Sequence, residues 1–87
     1  MTPYTILYIG KVVRDTIPSL PSAEKPAIIK AINERLAVDP IGLGKPLQYK
    51  LKGYRRLRVG DWRVIYRVEG LVVTVTAIVN RRDAYKG

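Results

Sequence analysis

Hydrophobic and polar positions change period along this chain, dividing it into a largely helical first half and a stranded second half. Tyr4–Ile9 (YTILYI) is a β-branched and aromatic run stopped by Gly10, which predicts a strand. Residues 11–17 (KVVRDTI) suffice for about two helical turns before Pro18 and Pro21 interrupt. Beyond Ser22, apolar residues recur every four positions at Ile28, Ile32 and Leu36, with Ile29 beside them. Lys30, Asn33, Glu34 and Arg35 fill the other side. This pattern predicts an amphipathic helix of roughly four turns, N-capped by Ser22 with Glu24 in its first turn. Asp39-Pro40 ends it, and Ile41–Pro46 (IGLGKP) reads as a Gly/Pro connector.

Further on, the period drops to two. Tyr54–Val59, Trp62–Glu69 and Leu71–Val79 are three strand candidates, with Gly60-Asp61 and Glu69-Gly70 as tight turns. The last run is apolar on both faces, as expected of a central strand covered on both sides. The fold class is therefore α+β: one small domain over residues 1–87, with an N-terminal strand, one or two helices and a three-stranded antiparallel meander.

The first hairpin of that meander sorts its side chains sharply. A two-residue Gly60-Asp61 loop sets Val59 opposite Trp62, Arg58 opposite Arg63, Leu57 opposite Val64 and Arg56 opposite Ile65. Alternation then turns Leu57, Val59, Trp62, Val64, Tyr66 and Val68 towards the helices. The other face gathers Arg56, Arg58, Arg63 and Arg67 around Ile65. Like charges directly opposite one another are destabilising, so such a face is suited to an anionic partner.

Charge reinforces this reading. Residues 1–44 carry five basic and four acidic side chains; residues 45–87 carry eleven and three, a net of +8. Arginine, whose planar fork binds phosphate bidentately, supplies all five cations in 55–67. Nucleic acid is the expected anion. The chain has no Cys and no His, which argues against a disulfide framework, a thiolate nucleophile, a Ser–His pair or a metal site, so no cofactor is expected. No apolar run reaches the ~18 residues of a membrane span and no signal peptide opens the chain, so a cytoplasmic protein without membrane contact is expected. Past the last strand, Arg81, Arg82 and Tyr85 add a second group, in which Tyr85 could stack on a base or take part in proton transfer.

These residues bear a family likeness. GKPLQYKLKGYRRLRVGDWRVIYRV (Gly44–Val68), above all Arg56–Val68, resembles the RelE/ParE superfamily of toxins from type II toxin–antitoxin systems. The helix before it with DP-x-G-x-GKPL, the strand after it and the closing NRRDAY (Asn80–Tyr85) fit as well, so the resemblance covers nearly the whole chain. It implies a fold resembling small microbial ribonucleases and an acidic, RelB-like antitoxin that wraps the toxin, with operator DNA reached only through that antitoxin. RelE-like members cleave messenger RNA in the ribosomal A site without metal, a ribose 2′-hydroxyl attacking the adjacent phosphate. Carried over by position, the resemblance assigns catalytic roles to Arg56, Arg58, Arg63, Arg81 and Tyr85. Lys50, Lys52, Arg55, Arg67, Arg82 and Lys86 are then the expected RNA contacts.

Two positions depart from the family pattern. Asn80 stands where many relatives have a His, and Tyr54 stands where RelE has a lysine two residues before the Arg56 position. A guanidinium is a poor general acid, so Arg56 is expected to stabilise charge rather than protonate the leaving group. Besides ribosome-dependent cleavage, the same fold allows a ParE-like gyrase inhibitor or a non-catalytic basic binding module. Retention of Arg63, Arg81 and Tyr85 argues against the gyrase-directed kind.

Overall fold

Five strands form one mixed sheet in the order β1-β5-β4-β3-β2, in a computed structural model that describes residues 3–80. The strands are β1 (Thr5–Tyr8), β2 (Lys45–Pro46), β3 (Arg55–Val59), β4 (Trp62–Glu69) and β5 (Val72–Asn80). The expected meander is present as β3-β4-β5, and β1 joins it by parallel pairing along β5. Strand β2 lies within the segment that reads as a Gly/Pro connector. At two residues it is too short to show alternation, and only its pairing with Arg55 and Arg56 reveals it.

The first helical segment is Val12–Thr16, where the Ile17 amide reaches back to the Val12 carbonyl, and it continues as α1 (Ile17–Ser19). Pro18 lies two residues before the backbone turns extended at Leu20, so the bond its missing amide forgoes falls at the end of the helical run. The main helix differs from expectation at its start. Ser22 is not its cap: the Glu24 and Lys25 amides both donate to the Pro21 carbonyl, and α2 (Lys25–Ala31) begins after that turn. It runs directly into Ile32–Leu36, so the helix spans residues 25–36 and is shorter than the sequence suggested. Its apolar stripe is as expected, with Ile28, Ile32 and Leu36 fully buried.

These helices cover one face of the sheet. Val12, Leu20, Ile28, Ile32 and Leu36 pack on Leu57, Val64, Tyr66, Val73, Val75 and Ile78. Full burial of such side chains contributes about 1.5–3 kcal/mol each. Strand β5 is not covered on both sides as expected. Its Val73, Val75 and Ile78 are buried, whereas Val72, Ala77 and Val79 on the other face are half-buried, with Ile65 and Arg63 registered beside Ala77 and Val79. A bulge between Ile65 and Tyr66 leaves Thr76 unpaired in the register, and its hydroxyl donates to the Ile65 carbonyl at 3.2 Å. The second tight turn is also displaced. Glu69 pairs with Val72, so the loop is Gly70-Leu71, and Gly70 has a φ of 59°. The first loop position needs positive φ in a type II′ turn, and glycine adopts it without steric cost.

Asp39-Pro40 does more than stop the helix. The Asp39 carboxylate accepts from the Gly42 amide at 2.9 Å and caps a short helix α3 (Pro40–Leu43), where the sequence suggested only a connector. This segment is fastened beneath the sheet. The buried Tyr66 hydroxyl donates to the Pro40 carbonyl at 2.6 Å, and the Arg55 guanidinium donates to the carbonyls of Ile41 (2.6 Å) and Gly44 (3.1 Å). Burial raises the Tyr66 pKa above its ordinary value, with the neighbouring Arg55 opposing the shift. Gly44 is required by this approach, since a Cβ there would lie 1.7 Å from the Tyr66 hydroxyl oxygen.

Two outcomes follow for stability. Gly44→Ala and Tyr66→Phe should each cost about 1–3 kcal/mol in chemical denaturation, the first by overpacking and the second by leaving the Pro40 carbonyl without its donor. The double variant should cost less than their sum, because the phenylalanine lacks the oxygen that the new methyl strikes. The neutral Tyr66 hydroxyl is favoured in the folded state, so its contribution is intact below pH ~10 and is lost as pH rises through the raised pKa. Alkaline unfolding of Tyr66→Phe should accordingly be less steep than that of the parent.

Candidate nucleic-acid interface

The sheet face opposite the helices carries the arginines. The register is the one alternation predicts: Arg58 opposite Arg63, Arg56 opposite Ile65, Leu57 opposite Val64 and Val59 opposite Trp62. Gly60 has a φ of 59°, which lets the two-residue loop close without splaying the strands. Two cross-strand rows define the face. One runs Lys45–Arg56–Ile65–Ala77 and the other Arg58–Arg63–Val79. Arg58 is exposed; Arg56 and Arg63 are half-buried. Lys45 also belongs to this cationic group, a membership that no local pattern signals because it depends on β2 pairing with β3. Tyr54, two residues before Arg56, falls on the same face by alternation.

The four expected RNA contacts within the described residues take different places. Lys50 and Lys52 are exposed, in and just after a one-turn 3₁₀ helix (Tyr49–Leu51) that lies between β2 and β3. Arg67 lies on the open face opposite Thr74, where its Nε is 3.2 Å from a Glu69 carboxylate oxygen; both side chains are solvent-exposed. That pairing partly offsets its charge, though an exposed pair contributes little to stability. Arg55 is a correction. It pairs with Tyr66 and Pro46 in register, and its guanidinium is spent on the Ile41 and Gly44 carbonyls on the core side. Its charge holds the fold and is directed away from the cationic face. Arg81, Arg82, Tyr85 and Lys86 lie outside the described residues.

The chemistry available to the open face is that of guanidinium and ammonium groups. They bind phosphate oxygens bidentately or as point charges and stabilise developing negative charge, but they do not shuttle protons at neutral pH. The two tyrosines whose pKa burial raises, Tyr8 and Tyr66, are on the core side. Trp62, at the hairpin tip, is half-buried against the core and donates through its indole N–H to Glu24. Among the described residues no helix is long and apolar enough to cross a membrane.

Comparison with known proteins points one way. Residues 11–85 match the family model described as the ParE toxin of the type II toxin–antitoxin system, parDE. The chain is 30% identical over 86 residues to toxin RelG of Mycobacterium tuberculosis, an alignment covering 97% of this chain and 98% of that one. Among solved structures it resembles the toxin–antitoxin complex RelBE2 of M. tuberculosis, with a TM-score of 0.84, 29% identity and coverage of 93% and 94%. It also resembles the archaeal RelE–RelB complex of Pyrococcus horikoshii, with a TM-score of 0.69, 26% identity and coverage of 93% and 97%.

The Arg58–Arg63 opposition has a measurable consequence. Arg58→Thr should stabilise the fold by up to about 1 kcal/mol at low salt, since it removes one of two like charges facing each other and adds a β-branched residue. Thermal melts should show that gain shrinking as salt screens the remaining charges.

Proposed function

Because this chain belongs to the RelE/ParE superfamily of type II toxins, and is a RelE-like toxin of a toxin–antitoxin system, we propose that it is a ribosome-dependent messenger-RNA endonuclease. The observation that carries this reading is the helix-free cationic face, where Arg56, Arg58 and Arg63 share adjacent rows with Lys45. In this reading Arg63 and Arg81 clamp the scissile phosphate and stabilise the charge that builds as a ribose 2′-hydroxyl attacks it. Arg56 and Arg58 offset developing charge around them. Tyr85 orients the 2′-hydroxyl or stacks on the neighbouring base. Lys50, Lys52, Arg67, Arg82 and Lys86 contribute salt-dependent contacts to the phosphate backbone. With few acid–base groups of its own, the domain depends on the ribosome to hold the message in attack geometry. Such a protein acts in the cytoplasm.

The same charge distribution supports a small acidic antitoxin as its partner, in keeping with the relatives solved as toxin–antitoxin complexes. An acidic segment that orders as it binds would cover the face, and charge complementarity would speed its association. The ParE description of the matching family model favours a second reading, inhibition of DNA gyrase by binding.

Single-turnover cleavage on programmed ribosomes separates the two. Arg63→Ala and Arg81→Ala should each lower the cleavage rate by about 10²–10³. Arg63→Ala should remain folded, because the side chain lies outside the core. Arg14→Ala, in the near-neutral half, should cleave at the parent rate. Tyr85→Phe retains stacking but loses the hydroxyl, so a rate loss there assigns the proton-linked role. Unchanged rates in both arginine variants would overturn the site, and growth inhibition without message cleavage would favour gyrase.

A further inference from the structure

Tyr49 is the exception in the loop between β2 and β3. Its side chain is 91% exposed, so it contributes almost nothing to the core. Its φ of 59° makes it the only non-glycine among the described residues with a positive φ. L-residues with a Cβ rarely adopt that conformation, and a glycine or asparagine would turn the chain there with less strain. The loop itself is well held. The Leu47 amide donates to the Tyr54 carbonyl, the Lys52 amide to the Tyr49 carbonyl and the Tyr54 amide to the Leu51 carbonyl. None of these bonds uses the tyrosine ring. The loop thus presents an aromatic surface to solvent from a backbone conformation that costs a residue with a Cβ more than a glycine.

The surroundings indicate what the ring meets. Lys50 and Lys52 follow it, both exposed. Tyr54, which closes the loop, immediately precedes β3 and is two residues, or about 7 Å of extended chain, from Arg56. An exposed aromatic ring followed by two exposed lysines, in the loop that leads into the cationic strand β3, is an arrangement that single-stranded nucleic acid recognises: cations track the backbone and the ring takes a base. We propose that Tyr49 is a stacking platform for a nucleobase of the RNA strand lying on the cationic face. This rests on the ribonuclease reading above and adds to it a residue that positions the strand, with Lys50 and Lys52 holding the adjoining phosphates.

The test measures binding to programmed ribosomes whose A-site codon carries 2′-O-methyl riboses, so that association is read without cleavage. Tyr49→Gly removes the ring and relieves the positive φ, so its melting temperature should equal or exceed that of the parent, and lost binding is not lost folding. It should bind about tenfold more weakly, with Tyr49→Phe restoring affinity relative to it. Abasic nucleotides placed one at a time in the message should reveal one position that weakens the parent about tenfold and Tyr49→Gly no further. The proposal is overturned if Tyr49→Gly binds as the parent does, or if every abasic position weakens both proteins equally. Normal ribosome binding with loss of an acidic antitoxin would make the loop a protein contact and also overturn it. If Arg63→Ala loses cleavage while Tyr49→Gly changes nothing, only the stacking platform falls. If the parent does not bind programmed ribosomes, the ribonuclease reading falls with it.

Discussion

The register of the β3–β4 hairpin is the constraint on which the rest of this domain depends. Two residues, Gly60 and Asp61, close the loop, and the positive φ of Gly60 matches the turn to the strand twist. A slip of one residue in β3 would send Leu57 to solvent and Arg56 and Arg58 into the core, and a slip in β4 would do the same to Val64 and Tyr66 and to Arg63 and Arg67. Because the helices bury one face with Ile28, Ile32 and Leu36, that alternative is heavily penalised. The hydrophobic core and the cationic face are thus two consequences of one alignment.

Magnitudes explain why the crowding of charge is tolerated. A like-charged cross-strand pair costs roughly 0.2–1 kcal/mol. Each fully buried aliphatic side chain on the opposite face contributes about 1.5–3 kcal/mol. Eleven hydrophobic residues among those described are buried, so the core outweighs the repulsion by a wide margin. A sheet also holds its guanidinium groups on a stiff backbone, so little reorganisation is needed when an anion arrives. The proposed chemistry matches that endowment, since charge stabilisation is supplied by the domain and substrate geometry by the ribosome.

Tyr66 and Arg55 link the two halves of the chain. The tyrosine hydroxyl reaches Pro40 and the guanidinium reaches Ile41 and Gly44, so the segment after the main helix is tied to the underside of the strands. From there Lys45 pairs opposite Arg56, and the next loop, carrying Tyr49, connects this short strand to β3. A buried contact on one side of the sheet thereby sets what the other side can present.

Much of this was legible in residue order because it follows from short-range periodicity. The four-residue recurrence of Ile28, Ile32 and Leu36 specified the buried stripe, and two-residue alternation about Gly60-Asp61 placed Arg56, Arg58 and Arg63 on one face. What the tertiary structure alone decided involves partners far apart in the chain or elements too short to carry a pattern. Arg55 has the same composition signal as its neighbours, yet its role follows from carbonyls 11 and 14 residues away. Lys45 joins the cationic rows through a two-residue strand. The parallel pairing of β1 with β5 and the exposed, left-handed Tyr49 are likewise invisible to periodicity. Local sequence determines which face a side chain takes; only packing determines which distant backbone is there to meet it.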